Sequence, residues 1–198
     1  MKEDRFFYHL VTNRRMEAGQ IISYTGDKKN TLYEFFFEKK FMNSENQDVN
    51  RIVSENISDD GLTLNAEDSN IVNRYLDNSS RSIRETIAEM VRIQEFPSYP
   101  SRLRCLYVTR TYNEVLEWKK VFESYNRKII QIVKLKTDGN YFVGDGNYLP
   151  DLETTSFDRK IEQARFYWKG YSDGVFPEVL IDGNIEVLEI IDDYELNK

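Results

Sequence analysis

An α+β fold is what this sequence predicts, and three observations carry it. Runs rich in β-formers stand towards both ends of the chain, the stretch from residue 31 to residue 96 carries the 3.6-residue spacing of helices, and Asp-Gly-Asn recurs at 138–140, 145–147 and 182–184. At 198 residues the chain suits one domain with a substantial core better than two.

Arg5-Phe6-Phe7-Tyr8-His9-Leu10-Val11-Thr12 is predicted as a buried first strand, and Ile21 to Tyr24 as a short second one. Leu32, Phe35 and Phe36 then open a helical region, followed by Val49, Ile52 and Val53, by Ile71, Val72, Tyr75 and Leu76, and by Ile83, Ile87, Met90, Val91 and Ile93. Pro97 and Pro100 end that region and return the chain to extended structure. Leu103 to Thr109 is a strand, and Thr111-Tyr112-Asn113-Glu114 has the form of a capping box opening a helix whose buried face is Val115, Trp118 and Phe122. Lys128 to Leu135 is a strand, and the Asp-Gly-Asn triplets supply the positive φ of tight hairpins. Ser156 to Trp168 is a helix with Phe157, Ile161, Ala164 and Trp168 on one face and Gly170 just past its end. The last motif strand is Pro177-Glu178-Val179-Leu180-Ile181.

Composition excludes several functions. A net charge of −7 argues against nonspecific binding to nucleic acid or anionic membranes, which needs a basic field. Arg81, Arg84, Arg92, Arg102 and Arg104 fall close together and are expected to be mostly a solvated helix face. The single cysteine, Cys105, forbids an internal disulfide, fits a reducing compartment and is expected as a packed core thiol. No apolar leader follows Met1, and no segment approaches the ~20 apolar residues of a membrane span, so a cytoplasmic protein is expected. One histidine, one cysteine and scattered acids give no metal-ligand spacing, and no phosphate-binding glycine loop or nucleophile elbow is present.

The chemistry-bearing residues are three, on three strands: His9, Tyr107 and Glu178. An imidazole in an apolar strand needs an internal partner or a ligand. Tyr107 stands at a strand end beside a helix N-terminus. Glu114 is explained by capping and Glu186 by strand alternation, whereas Glu178 has no local explanation. The bland readings are a histidine satisfied by a backbone carbonyl, an edge aromatic and a solvent-facing edge carboxylate.

Tyr8-His9-Leu10, Leu106-Tyr107-Val108-Thr109 and Glu178-Val179-Leu180-Ile181-Asp182-Gly183, in that order and with Ala164-Arg165-Phe166-Tyr167 ahead of the last, resemble the ADP-ribosyltransferase superfamily. The likeness is to its His-Tyr-Glu branch, which includes poly(ADP-ribose) polymerase catalytic domains and diphtheria toxin, and it points to a bacterial subgroup. It spans residues 6 to 191 and implies a split, mixed β-sheet core with a helical insertion, roughly 43–95, between the first and second motif strands.

The resemblance implies NAD as substrate and no metal. His9 would bond the adenosine ribose and seat the nicotinamide amide, Tyr107 would stack on the nicotinamide ring, and Glu178 would bond the nicotinamide-ribose 2′-hydroxyl, with Leu10 and Thr109 alongside. The physical logic is that of glycoside cleavage: a carboxylate stabilises the positive charge growing on the sugar, and neutral nicotinamide leaves without a general acid. Phe176 stands where arginine-modifying members carry Glu or Gln, which argues against an arginine acceptor. The segment 170–176, with Tyr171 and Phe176, would face an acceptor that could be protein, nucleic acid or small molecule. Three other readings remain open: a catalytically silent module that binds NAD or a nucleotide, an interaction scaffold presenting the insert to a partner, and a tRNA 2′-phosphotransferase, which the acidic chain disfavours.

Overall fold

The computed structural model describes residues 5–171, 174 and 177–195. Two antiparallel sheets face each other, with helices packed on their outer sides. The first holds β1 (Phe6–Val11), β6 (Gln131–Thr137), β9 (Gly183–Asp193) and β2 (Ile21–Tyr24), in that spatial order. The second holds β5 (Leu106–Val108), β8 (Pro177–Ile181) and β7 (Tyr141–Asp145). Every strand pair among the described residues is antiparallel, which corrects the expected mixed sheet, while the α+β class stands.

Side-chain parity sorts the core into three parts. Phe7, Val11, Leu106, Val108, Val133, Leu135, Val179 and Ile181 fill the space between the sheets. On the outer side of the second sheet, Leu180 and Phe142 pack against α3 (Ala66–Glu95) and α5 (Phe157–Trp168) through Ala88, Val91, Tyr167 and Trp168. Trp168 is fully buried, and its indole N–H donates to the Ala88 carbonyl at 2.7 Å, where a small residue admits the ring. On the outer side of the first sheet, Leu10 and Ile132 pack against Val115 of α4 (Tyr112–Ser124). Burying side chains such as Ile132 and Leu135 stabilises the fold by roughly 1.5–3 kcal/mol each.

The region between β1 and β5 is helical as expected, apart from β2 and a two-residue ribbon, β3 (Ile57–Ser58) with β4 (Gly61–Leu62). It comprises α1 (Thr31–Tyr33) running into a wider π-type turn at Glu34–Glu38, then α2 (Val49–Asn56), then α3. The last two apolar patterns join into one 30-residue helix.

The hairpin reading of the Asp-Gly-Asn triplets is corrected. Those at 138–140 and 182–184 carry the chain from one sheet to the other, and the third ends β7 in a single 3-10 turn at Gly146–Tyr148. The first two corners lock each other. Asp138 accepts from the Asn184 amides at 2.8 and 3.0 Å, and Asp182 accepts from the Asn140 backbone at 2.6 Å.

Candidate functional site

The two sheets meet at one backbone bridge, and that junction makes the site. Tyr8 and Thr109 exchange N–H···O bonds of 2.9 and 2.8 Å, which brings the middle of β1 against the end of β5. Parity then directs the side chains: His9 shares the face of Phe7 and Val11, towards the second sheet. Its Nδ1–H donates to the Tyr107 carbonyl at 2.7 Å. Burial lowers the imidazole pKa, only partly opposed by that bond, so the ring is neutral near pH 7. Because the carbonyl can only accept, the proton sits on Nδ1 and Nε2 keeps a free lone pair. One nitrogen is thus satisfied by backbone, as the bland reading expects, and the residue also lines a cavity.

On the second sheet Tyr107 pairs with Leu180, and Val108 with Val179, which makes Tyr107 and Glu178 diagonal neighbours on one face. The Tyr107 hydroxyl donates to the Arg102 carbonyl at 3.1 Å. The capping box at Thr111 and Glu114 forms as expected and starts α4 just beyond β5. Thr109 Oγ1 donates to the Thr111 carbonyl at 3.1 Å and so braces that turn. Leu10 is buried against Val115.

Glu178 is held from behind. Its Oε1 accepts from the Arg102 guanidinium and from the Tyr167 hydroxyl. Oε2 has no hydrogen-bond partner among the described residues. Arg102 is buried, and its Nε donates to Glu85 of α3 at 2.8 Å, while Nη1 also donates to the Tyr167 hydroxyl at 2.7 Å. Burial alone would depress the Arg102 pKa, but Glu178 and Glu85 on either side hold it well above the ordinary value. Burial raises the Tyr107 and Tyr167 hydroxyls well above the ordinary phenol value, so both stay neutral donors. Glu85 also meets Arg84 at 3.2 Å, giving a row of alternating charges, Arg84, Glu85, Arg102 and Glu178, that ends at the cavity.

The expectation that Arg102 belongs to a solvated basic face is therefore corrected: it is the buried centre of an ion-pair network. Asn30 is a second residue the sequence did not flag. Its side chain donates to the carbonyls of Arg102 and Cys105 at 2.8 and 3.1 Å and accepts from the backbone of Leu32 and Tyr33, tying the Arg102 segment to α1. Cys105 is a packed core thiol as expected, its pKa raised well above the ordinary value by burial.

His9, Tyr107 and Glu178 all line one cavity of about 270 Å³, together with Leu10 and Thr109. Thr31 and Leu32 of α1 form one wall, and Trp118 and Phe122 of α4 another. The Trp118 indole N–H donates to the Pro177 carbonyl at 3.0 Å, pinning β8 one residue before Glu178. Tyr171 is exposed and rests against Tyr148 and Phe166, away from the cavity lining. Phe176 lies outside the described residues.

A family model described as "Protein of unknown function (DUF2441)" matches residues 7–193. The chain belongs to the DUF2441 family. The matched span runs from β1 to the end of β9, so it holds every residue of the His9, Tyr107, Glu178 and Arg102 cluster. No curated protein matches this DUF2441 chain. No helix among its described residues is long and apolar enough to cross a membrane.

Proposed function

We propose that the protein is an NAD-dependent ADP-ribosyltransferase that cleaves the nicotinamide–ribose bond and transfers ADP-ribose to a non-arginine acceptor. One observation carries the reading: His9, Tyr107 and Glu178, drawn from three strands, converge on a single cavity. The proposed fold is the split-sheet transferase fold, with the region 43–95 as its insertion.

In this reading Oε2 of Glu178 accepts a hydrogen bond from the nicotinamide-ribose 2′-hydroxyl. As the C1′–N bond breaks, its electron pair leaves with neutral nicotinamide, and the carboxylate stabilises the positive charge growing at C1′. The acceptor nucleophile then bonds C1′ and releases its proton to solvent. Tyr107 offers an aromatic face to the flat, cationic nicotinamide ring. His9 Nε2 accepts a hydroxyl proton in a hydrogen bond and is not asked to transfer it. Arg102 and Tyr167 fix the carboxylate geometry through Oε1, which favours one orientation of the reacting sugar.

The test is nicotinamide release from NAD, with water as the default acceptor. Glu178→Gln keeps the shape and should slow release by about 10²–10³-fold. Full activity in Glu178→Gln would sink the mechanism. A nucleotide-binding module without turnover is the second reading, favoured by the hold Arg102 has on Glu178. It gives NAD binding with no nicotinamide release from the wild type.

A further inference from the structure

Among the described residues, two charged side chains line the cavity, Glu178 and Arg127, and the proposed reaction uses only the first. Arg127 follows the end of α4, where Asn126 adopts a left-handed conformation (φ 56°) and the chain turns back. The Arg127 backbone N–H donates to the Phe122 carbonyl at 3.0 Å. The guanidinium carbon lies 4.7 Å from the centre of the Phe122 ring, which holds the side chain over the aromatic wall. Arg127 is exposed and has no carboxylate partner among the described residues. The cavity therefore presents an unpaired cation, an aromatic wall, and a carboxylate with a neutral imidazole.

A ligand complementary to all three carries an anion, a flat or apolar body and hydroxyl groups. At about 270 Å³ the cavity falls just below the usual ~300–1,000 Å³ range of small-molecule sites, too small to enclose a dinucleotide. We infer that the cavity is a mononucleotide subsite in which Arg127 pairs the 5′-phosphate and His9 and Glu178 receive the hydroxyls of one ribose, that of the nicotinamide half, in place of the adenosine-ribose contact that the resemblance implies for His9. This rests on the nucleotide reading above and adds an orientation to it. The nicotinamide mononucleotide half of NAD fills the cavity, and the chain of phosphates leaves it past Arg127.

Calorimetric titration of nicotinamide mononucleotide, nicotinamide riboside, AMP and adenosine into wild type, Arg127→Gln and Arg127→Lys tests this. On the wild type a phosphate-bearing ligand should bind at least about tenfold more tightly than its nucleoside, the scale of one charge-assisted contact. In Arg127→Gln that ratio should fall to within about twofold while nucleoside affinity is unchanged, and Arg127→Lys should lie between, because it keeps the charge and loses the planar fork. An undiminished ratio in Arg127→Gln, or nucleosides binding the wild type as tightly as nucleotides, overturns the subsite. No nucleotide binding at all overturns both subsite and reaction. Arg127-dependent binding of AMP without nicotinamide release from NAD keeps the subsite and sinks the reaction. Nicotinamide release by Arg127→Gln at wild-type efficiency under subsaturating NAD does the reverse.

Discussion

Arg102 and Glu178 form an ion pair in which the arginine is the buried partner and the glutamate reaches the cavity. The guanidinium does not serve Glu178 alone, because Glu85 takes its Nε at 2.8 Å from the opposite side. Glu85 comes from α3, so the long helix does more than cover the second sheet: it supplies the counter-charge that fixes the group holding Glu178. Tyr167 closes the arrangement, accepting from Arg102 and donating to Glu178.

Removing the centre of that network should be costly. Among the described residues, Arg102→Met leaves Glu85 with only the more exposed Arg84 and Glu178 with only Tyr167. An uncompensated buried charge of this kind costs about 3–5 kcal/mol, which urea denaturation would read directly. A loss below about 1 kcal/mol would mean that water reaches the cluster and screens it.

His9 sets a pH dependence whose sign follows from its lowered pKa. The folded protein holds the ring neutral, while the unfolded chain protonates it near the ordinary 6.5, so the unfolded state binds more protons as pH falls. Its contribution is complete above about pH 6.5 and is lost as pH drops towards the folded-state pKa. The slope cannot exceed about 1.4 kcal/mol per pH unit, the limit for one proton. Urea midpoints of wild type and His9→Gln between pH 5 and 8 isolate the effect: the stability difference should fall with acidification. A flat difference would contradict a desolvated neutral imidazole.

Much of the scaffold was legible because its signals are local. The first strand, the Thr111 capping box, the helix ending at Trp168 and the outward Glu186 each follow from residues within a turn of one another. The Asp-Gly-Asn triplets misled because turn chemistry reports how a chain bends, not whether the flanking strands pair with each other. Here two of them bend the chain between sheets. Arg102 was illegible for a related reason. What marks an arginine as buried is its partners, and these stand 17 and 76 positions away. Tyr167 was visible only as part of the Ala-x-x-Tyr element, with no hint that its hydroxyl meets Glu178.

Asp151 offers a check on a second charge cluster, remote from the cavity lining. Hydrogen bonds from Lys160 (2.9 Å), Thr155 (2.9 Å) and Gln163 (3.1 Å) lower its pKa from the ordinary 3.8 to about 2. Its contribution to stability is therefore present above about pH 4 and disappears as pH falls towards about 2. Carboxyl NMR should place its midpoint near 2 in the wild type, and Lys160→Met should move it up towards the ordinary value. A wild-type midpoint near 3.8 would mean that the lysine is not in place in solution.

Gly183 tests the paired corners that carry the chain between sheets. Its φ is +78°, and a Cβ there would lie 2.7 Å from the Cα of Gly139 in the opposite corner. A side chain must therefore bear the left-handed penalty and also push backbone against backbone, since the Asp138 and Asp182 carboxylates bind each corner to the other. Gly19 separates the two effects: its φ is +83°, and nothing lies within 4 Å of an added Cβ. Gly19→Ala should cost about 1–2 kcal/mol, the left-handed term alone. Gly183→Ala should cost clearly more and should loosen both corners together, seen as faster amide exchange at Asn140 as well as Asn184. Equal losses for the two variants would show that the corners can separate freely, and the reciprocal lock would then contribute little to holding β8, and with it Glu178, against the first sheet.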